Sequence, residues 1–279
     1  MFWRLHTEVL GRQVHEAFNY LRELGDQVQI VTGPVLTIDP VPEITFQPAV
    51  AITTLQDARK YLDSFAGGCT IRLFYNESDY ALSRWLPKLG DPVPILNSGG
   101  IIDAYSMLTT IPRNLLETIA SPSGEIFIKP DNRHELFSGL SFPIEKFRDE
   151  ILTALRPLDL NSDLPCYLAM HRELKDIEWR LWIVNREVVC HSPYSRKGEV
   201  CWSTVPKKVL DVAKAVAKNE WQPDIAYVVD IVETISGDVF VEEINAASTS
   251  NVYSAPITDL LFAFRLAVHE ELANALTFG

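Results

Sequence analysis

Hydrophobic and polar positions along the first third of the chain switch repeatedly between two periods. Leu10, Val14, Ala17, Phe18 and Leu21 recur at helical spacing, Gly25 closes that helix, and residues 28–32 read as a strand. Residues 33–53 carry Pro34, Pro40, Pro42 and Pro48, which predicts a connector with at most short extended pieces. Residues 55–65 read as a helix, 70–75 as a strand, 80–89 as a helix and 94–96 as a short strand. This rhythm predicts a small sheet flanked by helices.

Asn97-Ser98-Gly99-Gly100 breaks the pattern, and beyond it the rhythm changes. Residues 125–129 form an apolar strand, a short apolar piece starts at Phe142, and 144–155 are helical. Strands follow at 166–170, 177–184 and 187–194, with Asn185-Arg186 as a hairpin turn between the last two. Val209, Val212, Ala213 and Val216 mark a helix, 226–233 and 239–244 a strand pair, and 257–275 a closing helix. The expected division is an N-terminal α/β domain at 1–115 and an antiparallel-rich α+β domain at 116–279.

Composition narrows the classes. The 279 residues are 47% hydrophobic and 22% charged, an ordinary globular balance. Lys plus Arg number 25 against 37 Asp plus Glu, a net charge of −12. Such a surface repels phosphate backbones and anionic lipid, so duplex nucleic acid and membranes are not expected partners. Cys69, Cys166, Cys190 and Cys201 lack close-paired spacing, which suggests reduced thiols in a cytoplasmic protein. The first eight residues carry no signal-peptide pattern.

Three segments carry candidate chemistry. If Ser236-Gly237 is a two-residue turn, Asp230 lies opposite Glu243, and Asp230, Glu243 and Asn245 point to one side of the sheet. Two facing carboxylates repel, and a hard cation such as Mg²⁺ removes the conflict. The alternatives are exposed edge residues or pairing with Lys or Arg. In a domain that binds no nucleotide, Asp230→Asn and Glu243→Gln would stabilise the fold. In the segment Ile177-Glu178-Trp179-Arg180-Leu181-Trp182-Ile183-Val184, Glu178, Arg180 and Trp182 share one face, and Trp179, Leu181 and Ile183 form the core face. Arg180 is a fork suited to phosphate or carboxylate, or else a cross-strand partner of an acid. Lys129 ends the strand Glu125-Ile126-Phe127-Ile128-Lys129-Pro130, where an ammonium can hold a phosphate or simply be solvated.

In this order, Phe127-Ile128-Lys129-Pro130, Glu178-Trp179-Arg180 and Asp230 with Glu242-Glu243-Ile244-Asn245 resemble the ATP-grasp superfamily, within a bacterial and phage clade marked by one Arg and two Lys. The resemblance covers roughly residues 120–265. It implies a two-subdomain antiparallel-sheet fold preceded by a small pre-ATP-grasp-like α/β domain. It also implies an ATP- and Mg²⁺-dependent ligase that joins a carboxylate to an amine or thiol through an acyl-phosphate. ATP would lie between the two subdomains. Lys129 would contact its phosphates, and the backbone of Leu168, Ala169 and Met170 the adenine and ribose. Asp230, Glu243 and Asn245 would hold Mg²⁺. Arg180, with Glu178 beside it, would be the catalytic pair, Arg180 binding the transferring phosphoryl. The clade's second Lys is replaced by Arg133, followed by His134, so Arg133 would supply that charge. The departure also suits a nucleotide-binding regulator or interaction module without turnover.

Other residues read more plainly. Cys166, His171, Cys190, His191 and Cys201 lack zinc-ligand spacing. Lys207, Lys208, Lys214 and Lys218 read as the solvated face of their helix. Tyr194 and Tyr253 read as packing residues, with an acceptor-pocket wall as the alternative.

Overall fold

The structure is a computed structural model that describes residues 1–34, 48–64, 71–75, 79–131, 136–195, 197–201 and 203–278. Its strands are β1 (Phe2–His6), β2 (Gln27–Val31), β3 (Ala49–Ile52), β4 (Ile71–Arg72), β5 (Ile101–Ala104), β6 (Glu125–Pro130), β7 (Leu140–Pro143), β8 (Pro165–Met170), β9 (Leu174–Val184), β10 (Glu187–Ser195), β11 (Ala226–Thr234) and β12 (Val239–Ala246). The helices are α1 (Thr7–Leu10), α2 (Val14–Glu23), α3 (Leu55–Ser64), α4 (Leu82–Leu89), α5 (Arg113–Ile119), α6 (Phe147–Leu155), α7 (Lys207–Lys218) and α8 (Ile257–Phe278). Among the described residues no helix is long and apolar enough to cross a membrane.

The chain packs as two compact units that interleave in sequence. One comprises Met1–Asn76, Asp176–Ile231 and Ile244–Gly279; the other comprises Glu77–Lys175 and Val232–Glu243. In the first, β2-β1-β3-β4 form a parallel sheet. Its central strand β1 is buried at all five residues, and β3 at all four. Strand β1 is not predicted by the hydrophobic pattern, and β3 is one of the short extended pieces allowed within residues 33–53. A strand covered on both faces shows no alternation, and β1 also contains Arg4 and His6. Both polar side chains are satisfied internally: Arg4 Nε donates to Gln29 Oε1 at 2.8 Å, and His6 Nε2 lies 2.9 Å from the Gly33 carbonyl. β3 emerges from the proline-rich stretch expected to be a connector. Pro40, Pro42 and Cys69 lie outside the described residues.

The antiparallel sheet β10-β9-β11-β12 carries the longest strands. Asn185 and Arg186 form the expected turn between β9 and β10, both at positive φ (50° and 64°), as a two-residue hairpin loop requires. The expected burial of β9 on one face is corrected. Every residue from Glu178 to Val184 is buried. Trp182 and Val184, on the same face as Arg180, join Trp3, Leu5, Phe74, Leu260 and Phe264 in the main core. Packing on both faces is the reason: Trp182 and Val184 enter the main core, and Trp179, Leu181 and Ile183 are buried on the opposite face.

In the second unit β5-β8-β6-β7 form an antiparallel sheet around a core that includes Ile126, Ile128, Phe147, Ile151 and Leu168. β5 lies upstream of residue 115 yet pairs with β8. The short strand expected at 94–96 is a single parallel bridge from Ile95 to Val241. Gly100 lies hard against β8. A Cβ there would come within 2.4 Å of the Leu168 carbonyl oxygen and of the Tyr167 ring.

Two outcomes follow for solution measurements. Gly100→Ala should destabilise the protein by about 1–3 kcal/mol in urea, because a backbone carbonyl has nowhere to move without disturbing the sheet. Burial pushes the Cys166 thiol up to about 12 and the Cys190 thiol higher still. Site-resolved alkylation at pH 8 should therefore label the half-buried Cys201 in the folded protein, and Cys166 and Cys190 only after unfolding.

Candidate active site

The register of β9 and β10 sets Arg180 opposite Ser192 and Glu178 opposite Tyr194. Arg180 and Asp230 are buried, at 9% and 2% exposure. Arg180 Nε donates to Asp230 Oδ1 at 2.9 Å and Nη2 to Oδ2 at 2.8 Å, a side-on fork. Nη1 donates to the Asn251 carbonyl at 3.3 Å. Tyr194 and Tyr253 stack at 4.5 Å and 13°, and the guanidinium lies 5.3 Å from each ring centroid. Burial alone would lower the Arg180 pKa, but the charge and hydrogen bonds of Asp230 more than reverse it, so the group stays cationic. Burial and the Asp230 charge push Tyr194 up, and its neutral hydroxyl bonds Glu178.

A guanidinium has five N–H donors. Asp230 and Asn251 take three. The remaining two, one on Nη1 and one on Nη2, are donors that an anion could take.

The hairpin of β11 and β12 differs from the expected one at its turn and agrees further in. Thr234 N donates to the Asp238 carbonyl at 2.9 Å and Gly237 N to the Thr234 carbonyl at 2.9 Å, with Gly237 at φ 96°. This is a three-residue loop with glycine in the left-handed position, not a two-residue turn at Ser236-Gly237. Carried along unbroken, that register would put Asp230 opposite Glu242. Yet Asn245 Nδ2 donates to Asp230 Oδ2 at 2.9 Å, so these two share a face. Glu242 and Glu243 are both half-buried between fully buried Val241 and Ile244. An extra residue taken up there restores Glu243 and Asn245 to the face of Asp230.

Of the readings given for Asp230 and Glu243, pairing with Arg or Lys is the one the structure shows, since each carboxylate has its own cation. Asp230 has Arg180. Glu243 Oε1 accepts from Lys129 Nζ at 2.5 Å. Ile126 and Ile128 on β6 point into their core, which turns Lys129 to the other face, and Lys129 pairs in register with Tyr167 of β8. On β8, Leu168 is paired on both edges, to Ile101 and Ile128, whereas Ala169 and Met170 pair only with Phe127 and Ile126 of β6. Arg133 and His134 lie outside the described residues.

The structure thus gathers Glu178, Arg180, Asp230 and Asn245 into one buried cluster, and Lys129 with Glu243 into another. Sequence reasoning set Tyr194 and Tyr253 aside as packing residues and overlooked Asn251, Ser192 and Gln13. The positive φ of Tyr253 leaves no trace in residue type. Among the described residues no three His, Cys, Asp or Glu side chains converge on one point, so the cysteines and histidines form no zinc cage there. Asp230 with the Asn245 amide, and separately Glu243, carry oxygen donors of the kind that Mg²⁺ takes.

The model of an ATP-grasp domain, third family of its clade, matches residues 83–264. The chain belongs to that ATP-grasp family. ATP and Mg²⁺ are the cofactors of such domains. No curated protein matches the chain by sequence. Several solved ATP-grasp structures share its fold. The D-cycloserine synthetase DcsG is 15% identical over 95% of this chain and 100% of its own, with a TM-score of 0.64. The D-alanine-D-alanine ligase of Coxiella burnetii is 12% identical over 99% and 98%, with a TM-score of 0.61. The ATP-grasp ligase PsnB, solved with a minimal precursor, is 14% identical over 95% and 98%, with a TM-score of 0.57.

Truncating one partner of a buried ion pair strands the other. Asp230→Ala should cost about 3–5 kcal/mol in urea unfolding. Asp230→Asn should also destabilise the ATP-grasp fold, the opposite of relief from repulsion. Glu243→Gln, in a pair with 16% and 32% side-chain exposure, should change stability by no more than about 1 kcal/mol.

Proposed function

We propose that this ATP-grasp protein is an ATP- and Mg²⁺-dependent ligase that joins a carboxylate to an amine, or to a thiol, through an acyl-phosphate. The observation that carries this reading is Arg180: a buried, permanently charged guanidinium, locked by Asp230, with one N–H on each of Nη1 and Nη2 left over.

In this reading Arg180 holds two oxygens of the transferring phosphoryl and then of the acyl-phosphate, where charge develops. Lys129 neutralises the nucleotide phosphates, with Arg133 adding a second charge. The backbone of Ala169 and Met170, open on one edge of β8, meets the adenine, with Leu168 packing behind. Asp230, Glu243 and Asn245 would hold Mg²⁺, which would supply charge neutralisation at the phosphates. Glu178 acts through Tyr194 rather than on the substrate. Residues 116–279 carry the nucleotide machinery, and residues 1–115 help shape the acceptor side.

The chemistry balances without other reactants. A carboxylate oxygen attacks the γ-phosphorus and the bridging P–O bond breaks to release ADP. The amine nitrogen then attacks the acyl carbon, phosphate leaves, and the amine's proton passes to solvent. Related structures support either size of acceptor, since DcsG is a D-cycloserine synthetase and PsnB is solved with a precursor peptide and AMPPNP.

Hydroxylamine intercepts acyl-phosphates as hydroxamates, so it tests the reaction class before the acceptor is known. With ATP, Mg²⁺ and a panel of amino acids and peptides, the protein should form a hydroxamate and ADP in equal amounts. Arg180→Lys should lower that rate by about 10²–10³-fold, as loss of an oriented donor does. Nucleotide at about a hundred times its Kd should still add roughly 2.7 kcal/mol to stability. Stabilisation by nucleotide without hydroxamate from any carboxylate would instead identify a nucleotide-binding regulator without turnover.

A further inference from the structure

We infer that Tyr253, set by Gln13, is the positioning residue that aims the Arg180 fork. This rests on the reading of Arg180 as the phosphoryl-binding group and goes beyond it, by naming what holds that group in place. Tyr253 is a bulky residue at φ 47°, a conformation that costs energy for any side chain with a Cβ. Such a conformer persists only where the surroundings impose it. Here the restraints on the loop between β12 and α8 are explicit. Gln13 Nε2 donates to the Tyr253 carbonyl at 2.8 Å. Ser254 N donates to Ser192 Oγ at 2.9 Å, and the Ser192 and Ser254 hydroxyls are 2.8 Å apart. Val252 N donates to the Val9 carbonyl at 3.3 Å. The stretch from Val9 to Gln13 and strand β10 therefore grip the loop on either side of Tyr253.

The consequence falls on Arg180. Asp230 fixes one edge of the guanidinium but permits it to swing about that edge. The Tyr253 ring, stacked on Tyr194 at 4.5 Å, supplies an aromatic surface beside the group, with the guanidinium carbon 5.3 Å from its centroid. The Asn251 carbonyl, two residues before Tyr253, takes one Nη1 proton. Together they define the direction of the two remaining N–H bonds. A loop residue chosen only for packing would not need a left-handed backbone, and Gly is the residue at ease there.

The test compares AMPPNP with ADP, each with Mg²⁺, by calorimetry on the full chain. The ratio of the two affinities isolates contacts to the terminal phosphate from general damage to the fold, which weakens both nucleotides alike. The parent should prefer AMPPNP by roughly tenfold, the worth of a charge-assisted hydrogen-bond pair. Arg180→Lys should bring the ratio close to one. Tyr253→Ala and Gln13→Met should each lower it at least about threefold with ADP affinity retained, and Tyr253→Phe should restore it. Tyr253→Gly keeps the test open should the alanine variant misfold, because it removes the ring while relaxing the backbone. If Arg180→Lys collapses the ratio but Tyr253→Ala, Tyr253→Gly and Gln13→Met leave it unchanged, the positioning role is wrong and Tyr253 only packs. If Arg180→Lys itself leaves the ratio unchanged, the phosphoryl-binding reading fails and the positioning role fails with it.

Discussion

A guanidinium cannot be buried alone, and the pairing of Arg180 with Asp230 is the constraint around which the site is arranged. Desolvation of either charge by itself costs several kcal/mol. The side-on fork, the Asn245 amide on Asp230 and the Asn251 carbonyl on Arg180 offset that cost with hydrogen bonds. Each of these partners comes from a different piece of chain: β9, β11, β12 and the loop after β12. Bringing them to one point requires the hairpin of β11 and β12 to have the correct parity at Asp230 and Asn245. The register slip at Glu242 and Glu243 is what delivers it.

That slip also explains how much of the site was legible in the sequence. The trio Asp230, Glu243 and Asn245 could be read onto one face because the two-residue turn assumed for the hairpin gave the correct parity at its far end. The true turn holds one more residue, and the extra residue in β12 compensates. Two departures from ideal geometry cancelled. Local residue type announces a turn at Ser236-Gly237 but does not count its residues, and a bulge carries no residue signature of its own. The motif order was readable, and with it the ATP-grasp family, because Lys129, Arg180 and the Glu-Ile-Asn strand end sit on elements with strong apolar patterns.

What was not readable depended on burial from both sides or on contacts far apart in sequence. β1 and β3 lack alternation because helices and strands cover every residue. Arg4 and His6 within β1 find their partners only in the folded sheet. Trp182 shares the face of Arg180, as the alternation predicts, and lies in the main core. A central strand can hold a charged group and a tryptophan on one face when the charge is paired a few ångströms from the apolar packing. Gln13 and Tyr253 touch across almost the whole length of the chain, and no periodicity links them.

The ion pairs bear on how a net charge of −12 is compatible with binding a polyanion. Lys129 and Arg180 are each matched to a carboxylate, so these residues carry both signs rather than a basic patch. A magnesium nucleotide likewise offers both signs. In the proposed reading its cation suits Glu243, Asn245 and the spare lone pairs of Asp230, and its phosphates suit Lys129 and the remaining N–H donors of Arg180. Binding then exchanges partners instead of adding charge. In that reading Lys129 would exchange Glu243 for phosphate, while Arg180 would keep Asp230 and use its two remaining N–H donors. The half-buried lysine pair is the part that can rearrange, and the buried arginine pair is the fixed reference against which the phosphoryl group is placed. A preorganised donor costs no reorientation when charge develops, which is why the more deeply buried of the two cations is assigned to the reacting group.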